Sequence, residues 1–388
     1  MRTVCIVTGT RADWGLLSPI ARSLAEAPDV ALRIIATNMH LSPRYGNTYK
    51  EILADGFKIH CHVPLLDSSD SAADTVRSMS IALRGMADAF EELRPDVVVI
   101  LGDRTEMLEV ASAALIFCTP IVHIAGGEIS EGAYDDSIRH AITKMSHIHL
   151  TETEEYRRRV IQLGEDPAHV INTGAIGVHN ILHTQLLDHD EIERQVGCAI
   201  GPDTLVVTFH PATLDAGEPA EQCRALLQAL DDHSRCNFIF TYPNNDTNGQ
   251  AIISAIEEYV GAHRNRAVVF PSLGRLRYLS VLRYAGGVVG NSSSGIIEVP
   301  SMGIPTLNIG SRQRGRIAAP SVVHCDPTRE AISAGLDTIL SPEHRAIAAR
   351  KVNPYYRPDT LRLITDAIRL TPLEGITIKH FHDINAQL

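Results

Sequence analysis

The chain has 388 residues, 44% of them hydrophobic and 21% charged, with 46 acidic against 35 basic side chains and a formal net charge of −11. That length exceeds one ordinary core and suits two domains, and no run approaches the ~20 apolar residues that a membrane-spanning helix needs. The negative charge disfavours nonspecific binding to nucleic acids and membrane surfaces, both polyanions, while local arginines still allow an anionic ligand.

The chain enters an apolar strand at Val4–Thr8 with no secretory cleavage pattern before it, which predicts a cytoplasmic protein. Further strands are predicted at Leu32–Thr37, Asp96–Leu101, Ile121–Ile124, His147–Leu150 and Val170–Thr173. A second series follows at Leu205–Phe209, Phe238–Tyr242, Val268–Phe270, Gly287–Gly290, Thr306–Ile309 and Val322–Cys325. These runs are short, rich in Val and Ile, and apolar on consecutive positions, the pattern of strands buried on both faces of a parallel sheet. Helical patterns lie between them, for example Ala72–Leu93, Glu154–Leu163, Glu221–Leu230 and Leu276–Tyr284. Such alternation predicts two doubly wound α/β domains of about six strands each, with a boundary after Thr173-Gly174. Seven cysteines (5, 61, 118, 198, 223, 236 and 325) stand singly without a CxxC pair. Reduced, mostly buried thiols are therefore expected rather than disulfides or a zinc site. With no clustered metal-ligand spacing either, no metal or other cofactor is expected.

In open parallel sheets ligands sit at the carboxyl ends of strands, and five such ends are unusual. Gly9-Thr10-Arg11-Ala12-Asp13 is neither GxGxxG nor a Walker loop, so a conventional dinucleotide or NTPase site is disfavoured. Its helix N-terminus and Arg11 can still meet an anion, or form an ordinary βα turn. Leu101-Gly102-Asp103-Arg104 offers a carboxylate that is either a simple N-cap or a proton carrier, beside a phosphate-holding arginine. His123-Ile124-Ala125-Gly126-Gly127-Glu128 puts two glycines before an acidic stretch with Glu131, Asp135 and Asp136, where one or two of the acids are expected to cap a helix. Phe209-His210-Pro211 fixes a histidine at a strand terminus, followed later by Tyr242-Pro243-Asn244-Asn245-Asp246. Gly290-Asn291-Ser292-Ser293-Ser294-Gly295-Ile296-Ile297-Glu298 is the most specific: a strand, a serine loop and a helix start suited to a pyrophosphate, with Glu298 placed for ribose hydroxyls. Gly310-Ser311-Arg312 adds a cation.

Taken together, these residues resemble the hydrolysing UDP-N-acetylglucosamine 2-epimerases of the sialic-acid and legionaminic-acid pathways. The resemblance spans nearly the whole chain, through GTRAD at 9–13, LGDR at 101–104, GGE at 126–128, DDSIRHAITKMSHIHL at 135–150, FHP at 209–211, YPNND at 242–246, GNSSSGIIE at 290–298 and NIGSRQ at 308–313. It implies a GT-B-type α/β fold, with two Rossmann-like domains whose parallel sheets face a central nucleotide-sugar cleft. An N-terminal domain over 1–174, joined by a returning segment 356–388, would hold the sugar and proton chemistry, and a domain over 175–355 the nucleotide. It also implies a homo-oligomer, dimer or tetramer. By the same resemblance Arg11, Arg104, His210, Asn244, Ser292, Ser293, Ser294, Glu298 and Arg312 contact the nucleotide sugar, and Asp103, Glu128, Asp135 and His210 carry the catalytic chemistry.

One position departs from the family pattern. Better-known members carry glutamate where this chain has Ala125, and a methyl group takes no proton. Either the base role passes to Glu128, Asp103 or Asp135, or the subfamily takes a different sugar. The EGAYDD stretch at 131–136 is one residue longer than the usual loop and resembles the branch acting on nucleotide-linked diacetamido-trideoxyhexoses. Two other readings stand beside the epimerase: a glycosyltransferase on the same fold, and a nucleotide-sugar-binding homologue with impaired catalysis.

Overall fold

A computed structural model describes residues 1–65, 71–212, 217–243 and 249–384. The chain divides into two compact units. Unit 1 comprises Met1–Glu128, Asp135–His179 and Arg357–Leu388, and unit 2 comprises Ile129–Tyr134 and Asn180–Tyr356. The main border falls inside the helix Ile176–His183.

Unit 1 is built on a seven-stranded parallel sheet: β1 (Arg2–Thr8), β2 (Val30–Thr37), β3 (Cys61–Val63), β4 (Val97–Leu101), β5 (Ile121–Ile124), β6 (Ile148–Thr151) and β7 (Val170–Asn172), in the order β3-β2-β1-β4-β5-β6-β7. The sequence pattern predicts six of these strands and misses β3. That strand is three residues long, lies at the sheet edge, and exposes His62 between its neighbours, so it carries no apolar run to detect. Both faces of the sheet are covered. Val4, Ile6, Val97 and Val99 pack with Leu17, Ile20 and Leu24 on one side, and Cys5, Val7, Val98 and Ile100 with Met86, Phe90 and Val110 on the other.

Unit 2 repeats the design with six parallel strands: β8 (Thr204–Thr208), β9 (Asn237–Thr241), β10 (Ala267–Phe270), β11 (Gly287–Gly290), β12 (Thr306–Ile309) and β13 (Val322–Cys325), ordered β10-β9-β8-β11-β12-β13. In each sheet the strand order reverses once, at β1/β4 and at β8/β11, and such switch points leave a crevice beyond the strand ends. No helix among the described residues is long and apolar enough to cross a membrane. The cysteines are all free, but fewer are buried than expected: Cys5, Cys223 and Cys236 are buried, and Cys118 is exposed.

The helix Thr360–Leu370 returns to unit 1, setting Ile364, Ala367 and Ile368 into the core beside Leu17 and Ile20. Arg2 donates to the carbonyls of Ile368 and Thr371 at 2.6 and 2.8 Å. Beyond that helix, Lys379 and Lys144 each place an ammonium 2.6 Å from the buried carboxylate of Glu165, and His149 donates to it through Nε2 at 2.9 Å. Burial alone would raise the Glu165 pKa, but these hydrogen bonds outweigh it and hold it at about 2, below the ordinary 4.5. A carboxylate depressed on folding contributes stability that is fully present above about pH 4.5 and lost as pH falls towards 2. Acid titration of the folded protein should therefore show a stability loss across that window, and Glu165→Gln should be less stable at pH 7 yet lose less within it.

Candidate active site

At the first switch point of unit 1, β1 ends in Thr8-Gly9 and the helix Arg11–Ala25 begins. Thr10 caps that helix: its hydroxyl accepts from the Asp13 N–H at 3.1 Å, and the Asp13 carboxylate accepts from the Thr10 N–H at 2.9 Å. This capping box satisfies the otherwise orphan donors of the first turn and occupies Asp13, leaving Arg11 at the first helical position. Burial raises the Asp13 pKa to about 6.

Across the switch point β4 ends at Leu101, followed by Gly102-Asp103-Arg104 and the helix Thr105–Ile116. Asp103 does not act as the N-cap. Arg104 occupies that position, with no side-chain cap bond, and the Asp103 carboxylate instead forms a short ion pair with Arg139. Only 1% of the Arg139 side chain is exposed. Its guanidinium also donates to the Glu128 carbonyl at 3.0 Å and to the Asp136 carboxylate at 3.3 Å. Arg139 therefore gathers the LGDR turn, the Gly-Gly-Glu turn and the acidic start of the helix Asp135–Met145 around one cation. Glu128 is itself buried, and Asp135 opens that helix next to Asp136.

His123 on β5 supports the same turn. Its Nε2 lies 2.8 Å from the Gly102 carbonyl, which can only accept, so Nε2 carries the proton and Nδ1 accepts from the Thr143 hydroxyl at 3.1 Å. Burial pulls its pKa down to about 3, and the ring is neutral at physiological pH. Ala125, where the resemblance leads one to expect glutamate, has φ +66°, a left-handed conformation that costs a non-glycine residue roughly 1–2 kcal/mol. At Gly127, φ is +80° and an added Cβ would lie 2.5 Å from the Tyr156 carbonyl oxygen. Gly127→Ala should destabilise the protein by about 2–4 kcal/mol in denaturant unfolding. Gly126→Ala, whose Cβ would meet only movable side-chain atoms of His123 and Thr143 at 3.0–3.3 Å, should cost less.

In unit 2 the ends of β8 and β11 converge on Asn291, which is 1% exposed. Its side chain accepts from the His210 N–H at 2.7 Å and donates to the His210 carbonyl at 2.8 Å. Its own carbonyl accepts from Arg312 at 3.2 Å and from Gln313 at 2.9 Å. One asparagine thus ties together the FHP, GNSSSG and GSRQ segments. The three serines separate. Ser294 bonds to the Tyr278 hydroxyl at 3.0 Å and to Glu298, whose pKa burial raises. The hydroxyls of Ser292 and Ser293 have no protein partner among the described residues, and both serines are half-buried at the turn before the short helix Ser294–Ile297. Asn244 lies outside the described residues.

A profile of the UDP-N-acetylglucosamine 2-epimerase family matches residues 22–369. The chain belongs to that family. Among its relatives, the Campylobacter jejuni GDP/UDP-N,N'-diacetylbacillosamine 2-epimerase (hydrolyzing) is 41% identical over 83% of this chain and 84% of its own. The Escherichia coli polysialic acid biosynthesis protein P7 is 36% identical over 99% of this chain and 98% of its own. In fold, the Neisseria meningitidis UDP-GlcNAc 2-epimerase solved with UDP-GlcNAc matches with a TM-score of 0.80 at 16% identity, covering 95% and 99% of the two chains. The two Rossmann-like units of this 2-epimerase family member are of the GT-B type.

Arg139, Asn291 and Gln313 organise the two clusters, and sequence reasoning did not single them out. Arg139 sits among acids at a helix start, where an arginine ordinarily reads as one half of an exposed i,i+3 pair. The only signal for Asn291 is its place between a strand-terminal glycine and three serines, whose hydroxyls are the more obvious phosphate ligands.

Proposed function

We propose that the protein is a hydrolysing nucleotide-sugar 2-epimerase. It would convert a nucleoside-diphosphate 2-acetamido sugar to the free manno-configured sugar and the nucleoside diphosphate, for nonulosonic acid biosynthesis. The observation that carries this reading is the gathering of Asp103, Asp136 and the Glu128 backbone around buried Arg139 at the strand ends of unit 1. A glycosyltransferase needs no such concentration of carboxylates beside its pyrophosphate groups. N,N'-diacetylbacillosamine donors come first, because the Campylobacter relative is named for them and the EGAYDD loop resembles that branch.

The chemistry follows from where charge develops. As the bond from sugar carbon 1 to the diphosphate oxygen breaks, its electron pair leaves with the diphosphate, and positive charge at carbon 1 acidifies the hydrogen on carbon 2. Arg11, Arg104, Arg312, the Ser292 and Ser293 hydroxyls and His210 are the groups suited to the departing diphosphate. Asp103 takes the carbon 2 proton, giving a 2-acetamidoglycal. Water then adds, hydroxyl to carbon 1 and a proton to carbon 2 from the opposite face, delivered by Glu128 or Asp135. The reading extends to a cytoplasmic homo-oligomer that needs no metal.

Incubation in D2O with UDP-N-acetylglucosamine and with UDP- and GDP-linked diacetamido-trideoxyglucose, followed by NMR, tests it. The expected product is free manno-configured sugar with deuterium at carbon 2 and one equivalent of nucleoside diphosphate. Release of no nucleoside diphosphate from any donor would overturn the reading, and turnover only with an added acceptor would establish the transferase instead.

A further inference from the structure

We infer that Glu106 is a positioning residue that orients Arg104 for the diphosphate, an inference that rests on the function proposed above. Glu106 lies in the first turn of the helix Thr105–Ile116 and is 1% exposed. A carboxylate buried this deeply needs a paired charge, and Arg104 provides it through Nε at 3.0 Å. Binding through Nε rather than a terminal nitrogen fixes the plane of the guanidinium about its own stem, and so sets where the fork points. The Thr105 hydroxyl donates to the second carboxylate oxygen at 3.3 Å, holding Glu106 in turn.

The same carboxylate is pressed against the other turn of the switch point. A Cβ added at Gly9 would collide with Glu106 Oε1, so the absence of a side chain at residue 9 makes room for it. Glu106 thus joins the Gly9–Arg11 turn to the Asp103–Arg104 turn, the two places in unit 1 from which arginines were assigned to phosphate.

Placing an acid beside an anion-binding arginine runs against simple electrostatics, and Asp13, Glu109 and His40 also feel the charge of Glu106. If Glu106 acted only as a negative charge, removing it would strengthen binding of a diphosphate. A positioning role predicts the opposite sign.

The experiment is calorimetry of UDP and GDP binding to wild type, Glu106→Gln, Glu106→Asp, Arg104→Ala and the Glu106→Gln/Arg104→Ala double variant, each checked for cooperative melting. Glu106→Gln keeps the shape and loses the charged pair; Glu106→Asp keeps the charge but is one methylene short of Arg104. Both should weaken nucleotide binding about tenfold, equivalent to about 1.4 kcal/mol, with KM rising in parallel. In the Arg104→Ala background, Glu106→Gln should weaken it no further. Unchanged or tighter binding by Glu106→Gln, or equal weakening with and without Arg104, overturns the inference alone. Wild-type protein that binds neither nucleotide would sink the epimerase reading and this inference with it.

Discussion

Asp103→Asn is expected to lower turnover by about 10²–10⁴-fold, the range a positioned general base contributes, while UDP affinity stays within about threefold. Asparagine keeps the size of the side chain and can still accept from Arg139 through its amide oxygen, so the LGDR turn should hold its place. The His123 bond to the Gly102 carbonyl supports the same turn independently of residue 103. What is lost is the capacity to take a proton. Single-turnover measurement of glycal formation and calorimetry of UDP binding separate the two quantities. If affinity fell as steeply as turnover, Asp103 would belong with the phosphate-holding groups, and the base would be sought at Glu128 or Asp135.

A larger structural effect is expected at Arg139. Methionine there keeps the unbranched apolar stem but leaves two carboxylates, Asp103 and Asp136, and the Glu128 carbonyl without the cation that serves all three. Removing one partner from a buried ion pair typically costs about 3–5 kcal/mol, which for a unit of this size lowers the melting temperature by roughly 10 °C. Turnover should vanish even at temperatures where the variant is folded, since the acids it gathers would repel one another and drift apart. Arg139→Lys keeps the charge but cannot fork to three acceptors, and should fall between wild type and methionine in stability. Thermal melts and assays at a common low temperature check both statements.

Most of the architecture was legible because parallel strands covered on both faces must be apolar at consecutive positions, and β4, as Val97-Val98-Val99-Ile100-Leu101, is the clearest case. β3 escaped because a three-residue edge strand leaves no such imprint. The βα turns were legible as locations, since glycine, serine and arginine cluster where strands end. Partnerships were harder to read. That Asp103 meets Arg139 rather than capping its helix depends on two segments 36 positions apart, and no local pattern encodes it. The three consecutive serines looked equivalent in sequence, yet Tyr278 and Glu298 claim Ser294 and leave its neighbours to other work.

The route of the chain has a consequence for its biosynthesis. Every segment of unit 2 lies before residue 357, whereas unit 1 awaits the stretch that carries Ile364, Ile368 and Lys379 into place. A ribosome delivering residues in order therefore completes unit 2 before unit 1, and β1 must wait, with Arg2 and the apolar face of the helix Arg11–Ala25 uncovered, until residues 360–379 have emerged. A nascent protein of this design therefore carries the strands of unit 1 incomplete, and open to misassociation, for longer than those of unit 2, although they are made earlier.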